Sequence, residues 1–133
     1  MFGDAGHAYL FFVYGMHWNF NVVTGQRDEP EAVLIRALSP ELGVETMQQR
    51  RQRNTLAELT NGPGKLCQAL GLDGSHYGMD LCRAPLYLAD APRRRVARSQ
   101  RVGIAYAGTW AEKPWRFYDP ASAHVSKPRP RER

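Results

Sequence analysis

Cysteine is scarce in this sequence. The 133 residues contain only Cys67 and Cys82, and the two do not form a CxxC pair. A disulfide framework or a structural zinc site needs more thiols at closer spacing. The four histidines add no metal motif, because no two of them stand four residues apart. The sequence therefore predicts no metal, no cofactor and no disulfide, and we expect both thiols to be reduced and buried.

The sequence also lacks a long hydrophobic run. The longest apolar stretch, around Leu10 to Val13, is far shorter than the roughly 20 residues that cross a bilayer. A chain of 133 residues with 43% hydrophobic content is typical of one domain with one core. We expect a soluble intracellular protein without a membrane partner, with one domain over 1–126 and a basic tail rich in proline and arginine over 127–133.

Acidic residues are in the minority, with 13 Asp and Glu against 18 Lys and Arg and a formal net charge of +5. The basic residues concentrate in three groups: Arg50, Arg51 and Arg53; Arg93, Arg94, Arg95, Arg98 and Arg101; and Lys127, Arg129, Arg131 and Arg133. Any one group alone is best explained as a solvated face. The three together favour a polyanionic partner with a phosphate backbone.

Aromatic and β-branched residues dominate near the start of the chain. Segments 7–14 and 17–24 are rich in both and flank Gly15-Met16. This pattern predicts a β-hairpin with a tight turn. A third strand is predicted at Ala32–Leu38.

Two segments carry helix start signals. Ser39-Pro40-Glu41 offers a capping serine, a proline at the first helical position and an acid near the positive end of the dipole, which predicts a helix through Arg50. Asn61–Lys65 predicts a second helix, which ends at Gly71. Short strands are predicted further on, at Leu86–Leu88, Arg101–Tyr106 and Trp115–Tyr118.

The hairpin tip carries unusually large side chains, namely Tyr14, Met16 and His17. Turns favour small polar residues, so bulky ones at an exposed tip need an explanation. The tip could pack into the core of its own domain. It could equally be a wedge that inserts between stacked bases.

Two polar residues interrupt apolar strands. Asn21 lies in the second strand of the hairpin and Arg36 in the third predicted strand. Buried polar groups need hydrogen-bond partners, so an internal pair or a solvent-facing edge explains them as well as a functional pocket does. In a pocket, the amide and the guanidinium could read a base edge or orient a water molecule.

The segment Asn61-Gly62-Pro63-Gly64-Lys65 places a lysine at a helix N-terminus. Unpaired backbone N–H groups and the helix dipole attract anions there. The spacing is not that of a Walker A loop, and an ordinary capped helix is an equally open interpretation.

Four segments together resemble the alkyladenine (methylpurine) DNA glycosylase family. They are HAYLFFVYGMHWNFNVV at 7–23, AVLIRALSPELGVETM at 32–47, LTNGPGKLCQALGL at 59–72 and RVGIAYAGTWAEKPWRFY at 101–118. The resemblance implies an α+β fold: a single compact domain on a curved antiparallel sheet, with a few helices and a protruding hairpin that inserts into DNA. It implies base excision repair, in which a damaged (alkylated or deaminated) purine is flipped out of duplex DNA and its N-glycosidic bond is hydrolysed by water.

The resemblance also implies roles for pocket residues. Phe11 takes the place of an aromatic residue that packs on the extruded base. Asn21 matches an asparagine that disfavours undamaged guanine by clashing with its exocyclic amine. Arg36 matches an arginine that helps to hold the attacking water, and is the one catalytic residue that this sequence carries over.

Five further residues match DNA contacts of the family. Tyr14 matches the tyrosine that fills the gap left by the flipped nucleotide. Met16 and His17 flank this wedge and would touch the DNA backbone. Lys65 and Arg101 would contact phosphates or the pocket wall. The implied partner is double-stranded DNA with a damaged purine, bound by a monomer in the cytoplasm at the bacterial nucleoid or in the nucleus.

The sequence departs from the family before the hairpin. The family's catalytic glutamate, with a tyrosine and a histidine of the pocket, comes from a preceding segment, whereas only Met1–Gly6 stand before the hairpin here. A truncation, a mis-called start and a short homologue would each explain this, and we expect the 133 residues alone to lack hydrolytic activity. A non-catalytic lesion-recognising module and a basic RNA-binding domain are the alternative functions.

Overall fold

The computed structural model describes residues 3–13 and 17–131. Within these residues the chain folds as a small α+β domain with three antiparallel sheets. The strands are β1 (Ala8–Val13), β2 (His17–Val23), β3 (Ala32–Leu34), β4 (Cys82–Arg83), β5 (Leu86–Tyr87), β6 (Ala97–Ser99) and β7 (Arg116–Tyr118). The helices are α1 (Val44–Arg51), α2 (Pro63–Leu70) and 3₁₀ segments at Leu56–Glu58, Gly74–His76 and Ala105–Glu112. The α+β class is confirmed.

The predicted hairpin is confirmed in its two strands. β1 and β2 pair antiparallel from Ala8 opposite Val22 to Val13 opposite His17. The turn residues 14–16 lie outside the described part of the chain. β-branched and aromatic side chains favour the extended backbone because they fit a pleated, half-buried surface.

The third strand is shorter than predicted. β3 ends at Leu34, and the Ile35 N–H extends its pairing with β2 by one more bond, to the Phe20 carbonyl. Further on, the Leu38 N–H donates to the Thr60 carbonyl, and the Thr60 hydroxyl donates to the Leu38 carbonyl. The chain therefore leaves the sheet after Ile35 because Leu38 is bonded to another segment.

Helix α2 has the predicted bounds. Proline stands in its first turn, and Gly71 ends it with a φ of 68°, a left-handed conformation that glycine adopts at little cost. The helix buries Leu66, Cys67 and Ala69. Its buried face packs on β2, and the resulting core joins both strands of the hairpin to later segments: Ala8, Leu10, Phe20, Val22, Leu66, Cys67, Leu72 and Leu81.

The predicted start of α1 is wrong. The helix begins at Val44 rather than near Pro40, because Gly43 has a φ of 71° and interrupts any helical run before it. Met47 is the buried residue of α1 and packs with Leu59 and Ala69 in a second, smaller cluster. The capping signals at Ser39 therefore do not start a helix, because the left-handed backbone at Gly43 prevents a helix from continuing through this residue.

The C-terminal part combines confirmed and wrong predictions. Strands at Leu86–Tyr87 and Arg116–Tyr118 agree with expectation. The predicted strand at Arg101–Tyr106 is wrong: this region leads into the 3₁₀ segment, and β7 pairs with Ala97–Ser99 instead. Gly103 and Gly108 have φ values of 72° and 60°, so the backbone here is not extended.

No helix in the described ranges is long and apolar enough to cross a membrane. The two cysteines are unpaired and differ in burial: Cys67 is buried, whereas Cys82 is exposed, contrary to prediction. Cys82 lies in the two-residue strand β4, which covers no core. Burial raises the pKa of the Cys67 thiol to about 11.

We expect iodoacetamide at pH 8 to alkylate Cys82 of the native protein and to leave Cys67 unmodified. The thiolate is the reactive form, and at a pKa of about 11 it makes up only ~0.1% of Cys67 at this pH. Peptide mass spectrometry after timed labelling measures both sites. In the Cys82→Ser variant the native protein should take up no label until denaturant is added. Rapid native labelling of Cys67 would contradict the packing of α2 on the sheet.

Candidate nucleic-acid interface

The hairpin presents one face to the core and the other away from it. Side chains alternate along a strand, and Tyr9 stands opposite Asn21 while Phe11 stands opposite Asn19. These four side chains therefore share one face, which we call the outer face. Buried Leu10, Phe20 and Val22 occupy the other face.

An aromatic row lies on the outer face. The rings of Tyr9 and Phe11 are 6.4 Å apart and nearly parallel, and Tyr77 meets Tyr9 edge-on at 5.5 Å. Phe11 is 52% exposed, so its ring can receive another planar group. Neither Tyr9 nor Tyr77 was predicted. Alternation could have placed Tyr9 beside Phe11, but Tyr77 reaches the row only through long-range packing of its 3₁₀ turn against β1.

Asn21 is half-buried beside this row. Its side-chain nitrogen donates to the Tyr9 carbonyl at 3.3 Å. A carbonyl only accepts, so this bond fixes the orientation of the amide and turns its oxygen away from Tyr9. Part of the polar character of Asn21 is thus satisfied internally, and the remaining acceptor can meet a ligand.

Arg36 follows the end of β3. β3 ends at Leu34, opposite Asn21, and the Ile35 N–H makes the last bond to β2, so Arg36 lies just beyond the sheet. Its Nε donates to the Ser126 hydroxyl at 3.0 Å. Burial lowers the pKa of Arg36 from its ordinary value, but a guanidinium remains charged at neutral pH. Arg36 is thus a half-buried cation two residues beyond β3, the strand that pairs with the Asn21 end of β2.

Among the described residues, Arg36 forms no ion pair with a carboxylate. The ion pairs of the described residues join His76 to Asp73, Arg83 to Asp80 and Arg94 to Asp119, and none includes Arg36. Within the described ranges there is also no group of three or more His, Cys, Asp and Glu residues that could hold a metal ion.

Two residues that sequence reasoning missed lie behind Arg36. Ser126 and Arg116 are both buried, and Arg116 donates to the Ser126 carbonyl and hydroxyl. In the sequence, Arg116 could have been noticed because it stands between two aromatic residues, Trp115 and Phe117, around β7. Those two aromatics are exposed, at 47% and 55%, and the arginine between them is buried.

The tip end of the hairpin lies against the start of α2. A Cβ atom at Gly64 would lie 3.0 Å from the His17 side chain, a tighter contact than side chains usually make, so glycine favours this close approach. Lys65, one residue on, is exposed, and its ammonium lies 3.3 Å from the Asn61 side-chain oxygen. A groove of about 340 Å³ runs beside these residues and is lined in part by His17 and Gly64. Tyr14 and Met16 lie outside the described residues.

Arg101 is held in a separate cluster. Its guanidinium donates to the Trp110 carbonyl at 3.1 Å and lies 5.2 Å from the centre of the Trp115 ring. No hydrogen bond or ion pair among the described residues joins it to Phe11, Asn21 or Arg36.

Comparison with known proteins identifies the family. A model of the methylpurine-DNA glycosylase family matches residues 1–123. Relatives named "putative 3-methyladenine DNA glycosylase" include proteins of Desulfitobacterium hafniense, 46% identical over 95% of this chain, and of Granulibacter bethesdensis, also 46% identical over 95%. A protein of Myxococcus xanthus with the same name is 43% identical over 96%. The chain spans 67%, 60% and 62% of the lengths of these three relatives.

The match covers far more than half of the chain and includes the hairpin, α2 and the outer face. The chain belongs to the methylpurine-DNA glycosylase family.

Proposed function

We propose that this chain recognises a damaged purine in duplex DNA, receives the flipped base on its outer face and serves the hydrolysis of the N-glycosidic bond. The observation that carries the proposal is an exposed aromatic ring and an oriented amide on one face of the sheet, at Phe11 and Asn21, with the Arg36 cation two residues beyond the strand that pairs beside Asn21. A base extruded from DNA needs a stacking surface and polar groups that read its edge.

Phe11 and Asn21 are proposed to select the base. The exposed Phe11 ring offers a stacking surface, and its near-parallel neighbour Tyr9 limits its movement. The Asn21 amide cannot rotate freely because it is bonded to the Tyr9 carbonyl. A fixed side chain excludes an extra exocyclic amine better than a mobile one, which would disfavour undamaged guanine.

The hairpin tip is proposed to hold the duplex open. Tyr14 would fill the gap that the flipped nucleotide leaves, with Met16 and His17 beside it. His17 supports this proposal because it lies directly after the turn and packs closely against Gly64 of α2. A wedge anchored on the core can unstack bases without bending away itself.

Lys65 and Arg101 are proposed to meet phosphates. The stem of Lys65 folds back over Gly62, so its charge stands at the N-terminal end of α2. A cation there opposes the helix dipole unless an anion joins it, which favours a phosphate contact over simple capping. Arg101 keeps donors in addition to the one bonded to Trp110.

Arg36 is proposed to help hold the attacking water. In the hydrolysis, the water oxygen bonds to the anomeric carbon, the C–N bond breaks, and its electron pair leaves with the base. A carboxylate must take the water proton during this step. Since no described acid is ion-paired with Arg36, a lesion-binding role without base release is the second candidate function for these 133 residues.

We expect Tyr14→Ala to weaken binding to a duplex with an abasic site by roughly 1–3 kcal/mol, because it removes one aromatic–base stacking contact. Fluorescence anisotropy measures the affinity, and far-UV circular dichroism should not change. Tyr106→Ala is the matched control, since Tyr106 is 87% exposed and lies far along the chain from the hairpin. Equal affinities for both variants, or loss of the fold in Tyr14→Ala, would make Tyr14 a structural residue rather than a wedge.

The affinity for DNA should fall steeply with salt, with a slope of about −0.9 per neutralised phosphate in a plot of log affinity against log salt. Lys65→Ala should flatten this slope by about one unit if its ammonium contacts a phosphate. Lys113→Ala removes the same charge from the Trp110 ring and should leave the slope unchanged. If the two variants behave alike, Lys65 does not contact DNA.

The 133-residue chain should release no base from duplexes with hypoxanthine or methylpurines beyond spontaneous loss. General-base assistance contributes ~10²–10⁴ to such rates, and no described carboxylate is in place beside Arg36. Single-turnover excision assays with excess protein measure the release. Robust excision would mean that another acid of this chain acts, and variants of Asp4 and Asp28 would identify it.

A further inference from the structure

We infer that Ser126 and Arg116 are positioning residues for Arg36: Arg116 holds the Ser126 hydroxyl, and this hydroxyl holds Arg36 at Nε, which leaves the terminal nitrogens of Arg36 to a ligand. This inference rests on the proposed role of Arg36. The residues involved are 90 positions apart in sequence, so the arrangement is created only by the fold.

Arg116 is the anchor of this arrangement. It is only 4% exposed, although it lies between two exposed aromatics on a short strand. Its Nη1 donates to the Pro128 carbonyl at 2.7 Å, and its Nη2 donates to the Ser126 carbonyl and hydroxyl. A buried guanidinium is tolerated when its donors are satisfied, and here several of them bind one short segment, 126–128.

Arg129, which directly follows this segment, ties it back to the preceding part of the loop. Arg129 donates from its two terminal nitrogens to the Ser122 and Pro120 carbonyls, at 2.7 and 2.9 Å. Two arginines thus hold the chain around Ser126 through five hydrogen bonds. Because its segment is restrained in this way, the Ser126 hydroxyl has a fixed position.

The Ser126 hydroxyl receives both arginines. Arg36 Nε donates to it at 3.0 Å and Arg116 Nη2 at 3.3 Å. A hydroxyl has two acceptor lone pairs, so it can satisfy both donors. The bond to Ser126 engages Arg36 at Nε, and its two terminal nitrogens form no hydrogen bond with the described residues, so their donors are available to a ligand.

The charges argue for a role beyond stability. Two cations share one neutral acceptor, and neither forms an ion pair with a carboxylate in the described part of the chain. Burial, followed by the nearby Arg36 cation, lowers the pKa of Arg116. Apolar residues would fill this space at less cost. A buried cation without a carboxylate partner is an arrangement that proteins tend to keep at functional sites. Here it would keep the charge of Arg36 available to an electron-rich atom of a ligand.

A first experiment follows the Arg36 Nε–H directly, by ¹⁵N-edited NMR of the protein without DNA. Ser126→Ala removes the acceptor and should speed exchange of this proton with water by about tenfold, whereas Ser126→Thr keeps the hydroxyl and should restore protection. Ser122→Ala is the matched control, because this serine lies in the same loop and its hydroxyl bonds the His124 N–H instead. Arg116→Lys keeps the charge but loses the planar fork, and should also speed exchange. An unchanged Arg36 signal in Ser126→Ala overturns the inference.

A second experiment measures the ratio of affinities for a hypoxanthine duplex and the undamaged duplex, in a double-mutant cycle of Arg36→Ala and Ser126→Ala. If Ser126 acts through Arg36, its loss should lower the ratio about threefold to tenfold alone and have no effect when Arg36 is already absent. Ser126→Thr should retain the ratio. Additive effects of the two changes, or a loss equal to that of Ser122→Ala, overturn the inference. If Arg36→Ala leaves the ratio intact while the NMR signal responds as expected, Arg36 does not contribute to lesion binding, and its positioning by Ser126 stands.

Discussion

The packing of β2 on α2 is the constraint on which the rest of the structure depends. Phe20 and Val22 are buried against Leu66 and Cys67 in one core. Since strand side chains alternate, this burial commits the neighbouring positions of the hairpin to the outer face. A slip of one residue would bury Asn19 and Asn21 and expose Phe20. The outer face of this domain is therefore specified by its hydrophobic core.

Sequence patterns predicted local structure well where one segment contained its own signals. The hairpin strands and α2 follow from alternation, proline and a terminal glycine. The start of α1 and the conformation of the segment after Arg101 could not be predicted in this way. They depend on left-handed glycines and on bonds to distant segments of the chain. Of the candidate site, the positions of Phe11 and Asn21 were accessible from period-two alternation. Ser126 could not be found, since nothing near it in sequence shows that it meets Arg36.

The basic residues illustrate why net charge is a poor measure of an interface. Arg50 donates to the Ala69 carbonyl, and Arg51 donates to the Leu59 carbonyl, which ties α1 to α2 and to the chain before it. Arg116 and Arg129 likewise bond backbone carbonyls of the C-terminal loop. A guanidinium has five donors in a planar fork, so it can cross-link segments that lack a larger core. Several of the arginines behind the formal charge of +5 thus spend donors on holding the fold together. Fewer donors are left for phosphates than the composition indicates.

The cation at Arg36 has an electrostatic consequence for the chemistry of the family. Breaking an N-glycosidic bond develops positive charge on the sugar, and a nearby guanidinium opposes that charge. Two like charges about 4 Å apart repel by roughly 4 kcal/mol at the effective dielectric near a protein surface. Holding a water molecule with Arg36 therefore favours the reaction only if a carboxylate stands close enough to offset the arginine and to accept the proton. Lesion binding has no such requirement, because no charge develops on the sugar while the bond stays intact. The proposed recognition and the proposed hydrolysis thus make different electrostatic demands on the surroundings of Arg36.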